Sequence, residues 1–198
     1  MAGEAPRRIV VGASGASGTP LLVRCLEILR DTPNVESHLI MSRGARMTAE
    51  QEAPDVLSRL GELASAVHDV EAIGDTVASG SFGTDGMLIV PCSMKTVAGI
   101  AAGFADNLLL RAADVTIKEH RPLVLAARET PLSAIHLRNL QELAALPTVR
   151  IVPPMMTFYN NPQCIDDMVT HIAAKLLSPF GIRVNAFRPW EGMAEGGR

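Results

Sequence analysis

The chain alternates between short apolar runs and longer amphipathic segments, and this alternation limits the possible folds more than any other feature. The apolar runs, such as residues 9–11, 87–90 and 123–127, contain no charged residue. Strands covered by helices on both faces have this character, whereas a strand with one wet face alternates apolar and polar residues. A regular succession of such strands and helices is typical of βαβ units, and it predicts a parallel sheet.

The segments between the runs have the spacing of helices. In the first of them the apolar residues recur at helical intervals and form one stripe: Leu21, Leu22, Cys25, Leu26 and Leu29. We predict strands near residues 8–12, 35–41, 86–91, 122–127 and 149–152. We predict helices over residues 18–30, 43–60, 93–102, 107–119, 132–145 and 164–177. Residues 66–85 and 181–198 are the least regular parts of the chain.

Length and composition favour one domain. With 198 residues and 47% hydrophobic content, the chain can bury one substantial core but is short for two. We therefore expect a single α/β domain over residues 1–198 with three αβα layers, that is, a Rossmann-like or flavodoxin-like parallel sheet with helices on both faces. The tail, about residues 182–198, is expected to be extended or frayed.

Charge, hydropathy and cysteine spacing argue against nucleic-acid binding, membrane insertion, disulfide bonds and a zinc site. A net charge of −3 gives no basic field for nucleic acid. No apolar run approaches the roughly 20 residues that cross a bilayer, and the start lacks the apolar core of a signal peptide, so we expect a cytoplasmic protein without membrane contact. The cysteines Cys25, Cys92 and Cys164 lack CxxC spacing, which argues against disulfides and zinc. No metal site is predicted.

Three strand ends carry the residues that suggest chemistry. Residues 12–18 (GASGASG), 91–96 (PCSMKT) and 128–131 (RETP) each follow a predicted strand. The carboxyl ends of parallel strands meet at one edge, where open α/β sheets bind ligands, so we expect one shared crevice. Glycines let the backbone approach a ligand, and a helix N-terminus attracts an anion. These features favour an anion site, such as one for a flavin phosphate.

Each motif also has a purely structural interpretation. The glycine turn can serve tight packing, and Ser93 can simply cap a helix. Cys92 is either a low-pKa thiol or a buried hydrophobic residue. Four cationic and phenolic groups can gather around a second, mobile phosphate next to Glu129, or the lysines among them can be solvated helix ends: Lys118, Arg128, Tyr159 and Lys175.

The histidines give no functional signal in the sequence. They show no metal spacing and no evident Asp or Ser partner, and we interpret all five as surface or helix-packing residues: His38, His68, His120, His136 and His171.

A longer set of motifs, in a fixed order, covers almost the whole chain. It includes GASG at 12–15, SGS at 79–81, PCS at 91–93, RAADV at 111–115, RPLVL at 121–125, RETPL at 128–132 and FYNNPQ at 158–163. With this set the chain resembles the UbiX-type flavin prenyltransferases, a flavodoxin-like group of homo-oligomeric flavin-containing proteins. The resemblance implies a metal-independent transferase that joins the dimethylallyl group of dimethylallyl monophosphate to N5 and C6 of reduced FMN. It further implies a dodecamer whose product, prenylated FMN, serves a UbiD-type decarboxylase.

The resemblance also assigns roles to individual positions. It implies FMN contacts from residues at the strand ends: Gly12, Ala13, Ser14, Ser42, Ser93, Met94, Lys95, Thr96 and Arg128. It implies that four residues hold the prenyl phosphate: Lys118, Arg128, Tyr159 and Lys175. Ser14 and Glu129 are implied as the proton-handling pair, and Lys118 is counted with them among the catalytic groups.

Two departures from the family pattern and two alternative functions stay open. Lys175 stands where many members have arginine, which keeps the charge but loses the bidentate fork, and Ile73 stands where some have tryptophan. A flavin-dependent cysteine decarboxylase usually carries Pro-Ala-Met-Asn where this chain has PPMM at 153–156. A flavin-binding accessory protein would only carry cofactor to a decarboxylase. The sequence also leaves open whether the prenyl donor is a monophosphate or a diphosphate.

Overall fold

Six parallel strands form one sheet in the computed structural model, which describes residues 5–185, 187–190 and 192. The strands are β1 Arg7–Ala13, β2 Val35–Met41, β3 Ala66–His68, β4 Gly86–Cys92, β5 Leu123–Ala127 and β6 Val149–Ile151. The helices are α1 Thr19–Arg30, α2 Arg43–Glu52, α3 Val56–Leu63, α4 Met94–Ala101, α5 Leu108–Lys118, α6 Ala134–Ala144 and α7 Ile165–Leu177. The predicted α/β fold, flavodoxin-like with a parallel sheet, is confirmed.

Both faces of the central strands β1, β4 and β5 are buried, which explains the continuous apolar runs in these strands. In β1, Ile9 and Val11 pack into one core cluster, together with the apolar stripe of α1 and with α7. Val10 points to the opposite face and packs into a second cluster, built with α4 and α5. A polar residue in the middle of β1 would therefore be buried on either face.

The strand order β3-β2-β1-β4-β5-β6 reverses direction between β1 and β4. From β1 the chain moves outward to β2 and β3, and then returns to place β4 on the other side of β1. The two connections leave the carboxyl edge in opposite directions at this point, so a crevice opens there. Ser14 and Ser93, each directly after its strand, flank it.

The structure departs from the sequence prediction in two places. The helix expected over residues 43–60 is two helices, because Ala53 precedes Pro54 and takes a non-helical conformation, with φ −159° and ψ 73°. A proline disfavours helical geometry in the residue before it. Strand β3 was not predicted, since three residues are too few to show a period.

The predicted tail lies partly outside the described residues. Residues 182–185 and 187–190 form no helix or strand. Phe187 and Trp190 nevertheless contact the body of the domain, with Phe187 stacked on His171 and Trp190 edge-on to Tyr159. This part of the tail therefore contacts the domain through two aromatic rings.

Candidate functional site

Ser14 joins the ends of β1 and β4 at the point where the strand order reverses. Its backbone N–H donates to Pro91 O at 3.0 Å, and its hydroxyl oxygen accepts from Ser93 N at 2.8 Å. The hydroxyl also lies 3.4 Å from Pro91 O, to which it can donate. Only 2% of Ser14 is exposed, so these hydrogen bonds fix its side chain in one orientation.

A cavity of about 470 Å³ opens beside Ser14, and we call it the switch-point cavity. Its wall includes the starts of α2 and α4, where Ser42 accepts from Ala45 N and Ser93 accepts from Thr96 N. First-turn N–H groups have no partner within their helix, so two helix N-termini give this wall a positive potential. The sequence-predicted residues that the structure brings together here are Ser14, Ser42, Ser93, Met94, Lys95, Thr96 and Glu129.

The turn after β1 and the turn after β2 contact each other through Gly15 and Gly44. A Cβ atom added to Gly15 would lie 3.2 Å from the backbone of Gly44, and one added to Gly44 would lie 3.2 Å from Gly15 Cα. This is tighter than ordinary van der Waals contact, so neither position accepts a side chain without a shift of the other turn. The close approach is the structural reason for small residues after β1 and β2.

Glu52 occupies the N-terminus of α1, where the sequence suggested a phosphate. Its carboxylate accepts from Gly18 N at 3.0 Å and from Thr19 N at 2.8 Å. Burial raises the pKa of Glu52, but hydrogen bonds from Ser17, Gly18 and Thr19 outweigh burial and lower the pKa overall. The chain thus supplies its own anion at the start of α1. Sequence reasoning missed Glu52, because nothing in its local pattern distinguishes it from a solvated helix end.

Gly12 and Ala13 belong to β1 itself and do not line the cavity. A Cβ atom on Gly12 would lie 3.1 Å from Met87 Cε, so a side chain at this position would require Met87 to shift by a few tenths of an ångström. Their predicted ligand contacts can only involve backbone atoms.

Cys92 is fully buried beneath the cavity. Burial raises the pKa of its thiol to about 12. The thiol is therefore protonated near neutral pH and is not a nucleophile, since the thiolate is the reactive form. Of the two interpretations of Cys92, the buried hydrophobic residue is confirmed.

Arg128 and Glu129 follow β5, on the far side of β4 from Ser14. Both side chains are exposed, and Arg128 N donates to Cys92 O at 3.0 Å. The Glu129 carboxylate accepts from Thr130 N at 3.0 Å and lines the switch-point cavity together with Ser14. Arg128 is not part of the cavity wall.

A second, smaller pocket of about 150 Å³ follows the carboxyl end of β6, and we call it the α7 pocket. It contains Tyr159 and Lys175, two of the four residues predicted to hold a phosphate. Its other walls are mostly apolar, with Val152 from the strand end and Ile172 from α7. A cation and a phenol at the mouth of an apolar pocket suit a ligand that has an anionic group and a short hydrocarbon part.

Lys118 lines neither cavity within one chain. It ends α5, whose N-cap Asn107 lines the switch-point cavity. Eleven helical residues separate the two ends by about 16 Å. The Lys118 ammonium pairs with the Glu119 carboxylate of the same chain. The structure therefore does not gather all four predicted phosphate ligands in one chain.

The histidine prediction is wrong for His38 and His68. These residues lie on β2 and β3, with His38 Nδ1 3.0 Å from His68 Nε2, and His68 Nδ1 is 2.9 Å from Asp75 Oδ2. The cluster ties β3 to the segment that leads from β3 to β4. His136 has a structural role, completing the capping box of α6 with Ser133.

No group of three or more His, Cys, Asp or Glu side chains in the part of the chain that the structure describes is arranged to hold a metal ion. No helix there has the length and apolar character required to span a bilayer.

Comparisons with known proteins agree on one family. The family model described as Flavoprotein matches residues 3–177. The flavin prenyltransferase LpdB of Lactiplantibacillus plantarum is 54% identical over 94% of this chain and 99% of its own length. A dodecameric FMN-dependent UbiX-like decarboxylase from Escherichia coli O157:H7 has a TM-score of 0.90 and 49% identity, covering 93% of this chain and 100% of that chain. AnUbiX (PadA1), solved with FMN and dimethylallyl pyrophosphate, has a TM-score of 0.91 and 44% identity over 95% of this chain and 99% of that chain.

Similarity to cysteine decarboxylases is much weaker. The FMN-dependent cysteine decarboxylase SpaF is 23% identical with a TM-score of 0.59, over 75% of this chain and 85% of that one. That level of similarity shows a shared fold alone.

Proposed function

This chain belongs to the flavoprotein family and, within it, to the UbiX-type flavin prenyltransferases, and on that premise we propose how its own residues carry out prenyl transfer. The transfer breaks the allylic C–O bond of dimethylallyl phosphate and forms a C–N bond at N5 of reduced FMN, with phosphate leaving and the N5 proton lost. A proton then adds to the alkene of the prenyl group, and its tertiary carbon bonds to C6 with loss of the C6 proton. The observation that carries the proposal is the switch-point cavity, which combines two helix N-termini with Ser14 and Glu129.

The switch-point cavity fits FMN in size and in chemistry. Its volume of about 470 Å³ lies in the range of sites for ligands of this size. Arg43 and Lys95 add side-chain charge to the helix starts, where a phosphate would bind. Val70 and Leu109 offer apolar surface to an isoalloxazine ring. FMN, once bound in its reduced form, supplies the nucleophilic N5 atom.

Ser14 and Glu129 are proposed to move the protons. Ser14 is held by Ser93 N and Pro91 O and keeps its hydroxyl at a fixed point of the cavity wall. Glu129 offers an exposed carboxylate in the same cavity, and it is suited to accept the C6 proton as a general base. The departing phosphate is a second candidate for that role.

Tyr159 and Lys175 are proposed to hold the phosphate of the prenyl donor, with Lys118 and Arg128 completing the set. Negative charge grows on the phosphate as the C–O bond breaks, and oriented donors stabilise that charge best where water is excluded. Lys175 binds as a point charge and lacks the fork of an arginine. The apolar part of the α7 pocket would take the five-carbon chain.

We infer a homo-oligomer, with the dodecamer of the Escherichia coli relative as the expected form. Lys118 is about 16 Å along α5 from the cavity of its own chain, so a second chain is needed to bring such a lysine to the phosphate. Large apolar side chains are also exposed, and surface of this kind marks subunit contacts: Phe104, Ile135, Leu137, Met155, Met156, Phe158 and Ile165.

The product is proposed to serve a UbiD-type decarboxylase in the cytoplasm. Three free cysteines, two of them buried, are consistent with a reducing compartment. The donor is proposed to be dimethylallyl monophosphate, because a small pocket with few cations suits one phosphate better than two.

The test is a single-turnover reaction without oxygen. Protein loaded with reduced FMN receives either dimethylallyl monophosphate or the diphosphate, and the flavin is analysed by mass spectrometry. We expect a flavin heavier by one five-carbon unit, formed faster with the monophosphate. An Arg59→Gln variant, altered in an exposed ion pair on α3, serves as the control and should match the wild type. Protein that binds FMN but forms no new flavin with either donor would instead be an accessory carrier.

A further inference from the structure

His171 is a buried histidine in the wall of the α7 pocket that the proposed reaction does not use. It lies on α7 and is only 6% exposed. Its Nε2 atom lies 3.3 Å from the Tyr159 hydroxyl oxygen. The imidazole stacks on Phe187 with ring centroids 4.7 Å apart, so its plane and orientation are fixed. Lys175 follows one turn later on the same face of the helix.

The other ring nitrogen decides which hydrogen bond His171 makes. Nδ1 is buried and has no hydrogen-bond partner among the described residues. A neutral imidazole has one N–H group. If that hydrogen were on Nδ1, a buried donor would be left without an acceptor, which is rarer in proteins than an unused acceptor. With the hydrogen on Nε2, the N–H donates to Tyr159 and only a lone pair is left unused.

The environment of His171 keeps it neutral. Burial lowers its pKa below the ordinary value, and the Lys175 ammonium lowers the pKa further. A neutral imidazole with its hydrogen on Nε2 can donate to Tyr159 but cannot accept the phenolic hydrogen from it.

We propose that His171 is a positioning residue for Tyr159: it donates from Nε2 to the phenol oxygen, and so leaves the phenolic hydrogen free to donate to the prenyl phosphate. This proposal rests on the proposed function of Tyr159. Without His171 the Tyr159 hydroxyl can rotate, and its hydrogen would have to turn toward the phosphate during the reaction. The imidazole thus orients the Tyr159 hydroxyl before the phosphate binds, so the phosphate does not have to orient it.

The first test is a double-mutant cycle with Tyr159. His171→Phe keeps a ring of similar shape against Phe187 but removes the donor, and His171→Gln restores an N–H group near the position of Nε2. We expect His171→Phe to lower kcat/KM for the prenyl donor on the order of tenfold, and His171→Gln to recover part of the loss. In a Tyr159→Phe background, His171→Phe should have no further effect, since the hydroxyl it orients is gone.

The outcomes of the cycle separate orientation from mere packing. FMN affinity and the melting temperature are measured for each variant to confirm that the fold is intact. Equal losses from His171→Phe in both backgrounds, or no loss in a folded variant, would overturn the proposal. If Tyr159→Phe alone has no effect while product still forms, the positioning role is refuted and prenyl transfer stands.

A second measurement does not depend on activity. Nitrogen-15 NMR of protein labelled at histidine reports which ring nitrogen carries the hydrogen, and the His171 signal is assigned by its loss in His171→Phe. We expect the Nε2–H form, with a shift of that signal in Tyr159→Phe. The Nδ1–H form would overturn the proposal even if the protein proved not to be a prenyltransferase.

Discussion

At the level of single residues, the site is built from small side chains that are hydrogen-bonded to backbone groups. Ser14 holds Ser93 N and Pro91 O, which makes it a fixed part of the wall. The sequence located Ser14 and Ser93 because both follow apolar strands, and strand ends can be read from a pattern. Glu52 could not be found in this way, since its partners lie 33 and 34 residues earlier in the chain.

Glu129→Gln tests the carboxylate without changing its size. FMN should still bind, because the start of α2 and that of α4 are untouched. Formation of prenylated FMN should fall about 100-fold, the usual cost of losing a general base. Rapid-mixing absorbance of reduced FMN with dimethylallyl monophosphate measures this rate. A variant as fast as the wild type would assign the proton transfer to the phosphate.

At the scale of elements, the strand ends were predictable and the connections were not. The helix predicted over residues 43–60 is divided into α2 and α3, because Pro54 disfavours helical geometry at Ala53. The segment from β3 to β4 showed no period in the sequence, yet it is tied down by His68 and Asp75. That tie joins residues that are adjacent only after β3 has paired with β2, so no local pattern reveals it.

The pH dependence of stability follows from the same cluster. Burial, and then the neighbouring His68, lower the pKa of His38 below its ordinary value. A histidine with a lowered folded-state pKa stabilises the fold above its unfolded pKa of about 6.5, and this stability is lost as the pH falls below it. The free energy of unfolding should therefore decrease from pH 7.5 to 5.5 by at most about 1.4 kcal/mol per pH unit for such a group.

Urea unfolding at several pH values measures that slope. His38→Gln should flatten it, since the variant has no titrating group at this position. His136→Gln is the matched control, because glutamine can keep the capping box of α6, and it should retain the wild-type slope. Identical slopes for wild type and His38→Gln would show that His38 does not contribute.

At the scale of the whole molecule, one chain carries only part of the proposed chemistry. Ser14 and Glu129 share the switch-point cavity, Tyr159 and Lys175 share the α7 pocket, and Lys118 lines neither. The sequence indicated all five residues through a family resemblance. Patterns along the chain gave no information on which of them meet within one subunit, because that depends on the length and direction of α5.

The proposed oligomeric state can be tested by measuring the mass of the particle in solution. Light scattering on the purified protein should return a multiple of the 21.1 kDa chain, with twelve copies as the expected number. Phe158→Asp places a charge among exposed apolar side chains and should shift the population to smaller species. Prenyl transfer should be lost with the assembly, since Lys118 would no longer reach a neighbouring site. A fully active monomer would refute a shared site.

The separation of the two cavities also affects how such a protein can change over time. The α7 pocket is shaped by Val152 and Ile172, and neither residue contributes to the wall beside Ser14. On the proposed assignment of the two cavities, substitutions at these two positions would alter the space for the hydrocarbon chain and leave the residues of the switch-point cavity unchanged. Donor length can therefore drift under selection, or be redesigned in the laboratory, while cofactor recognition is inherited unchanged.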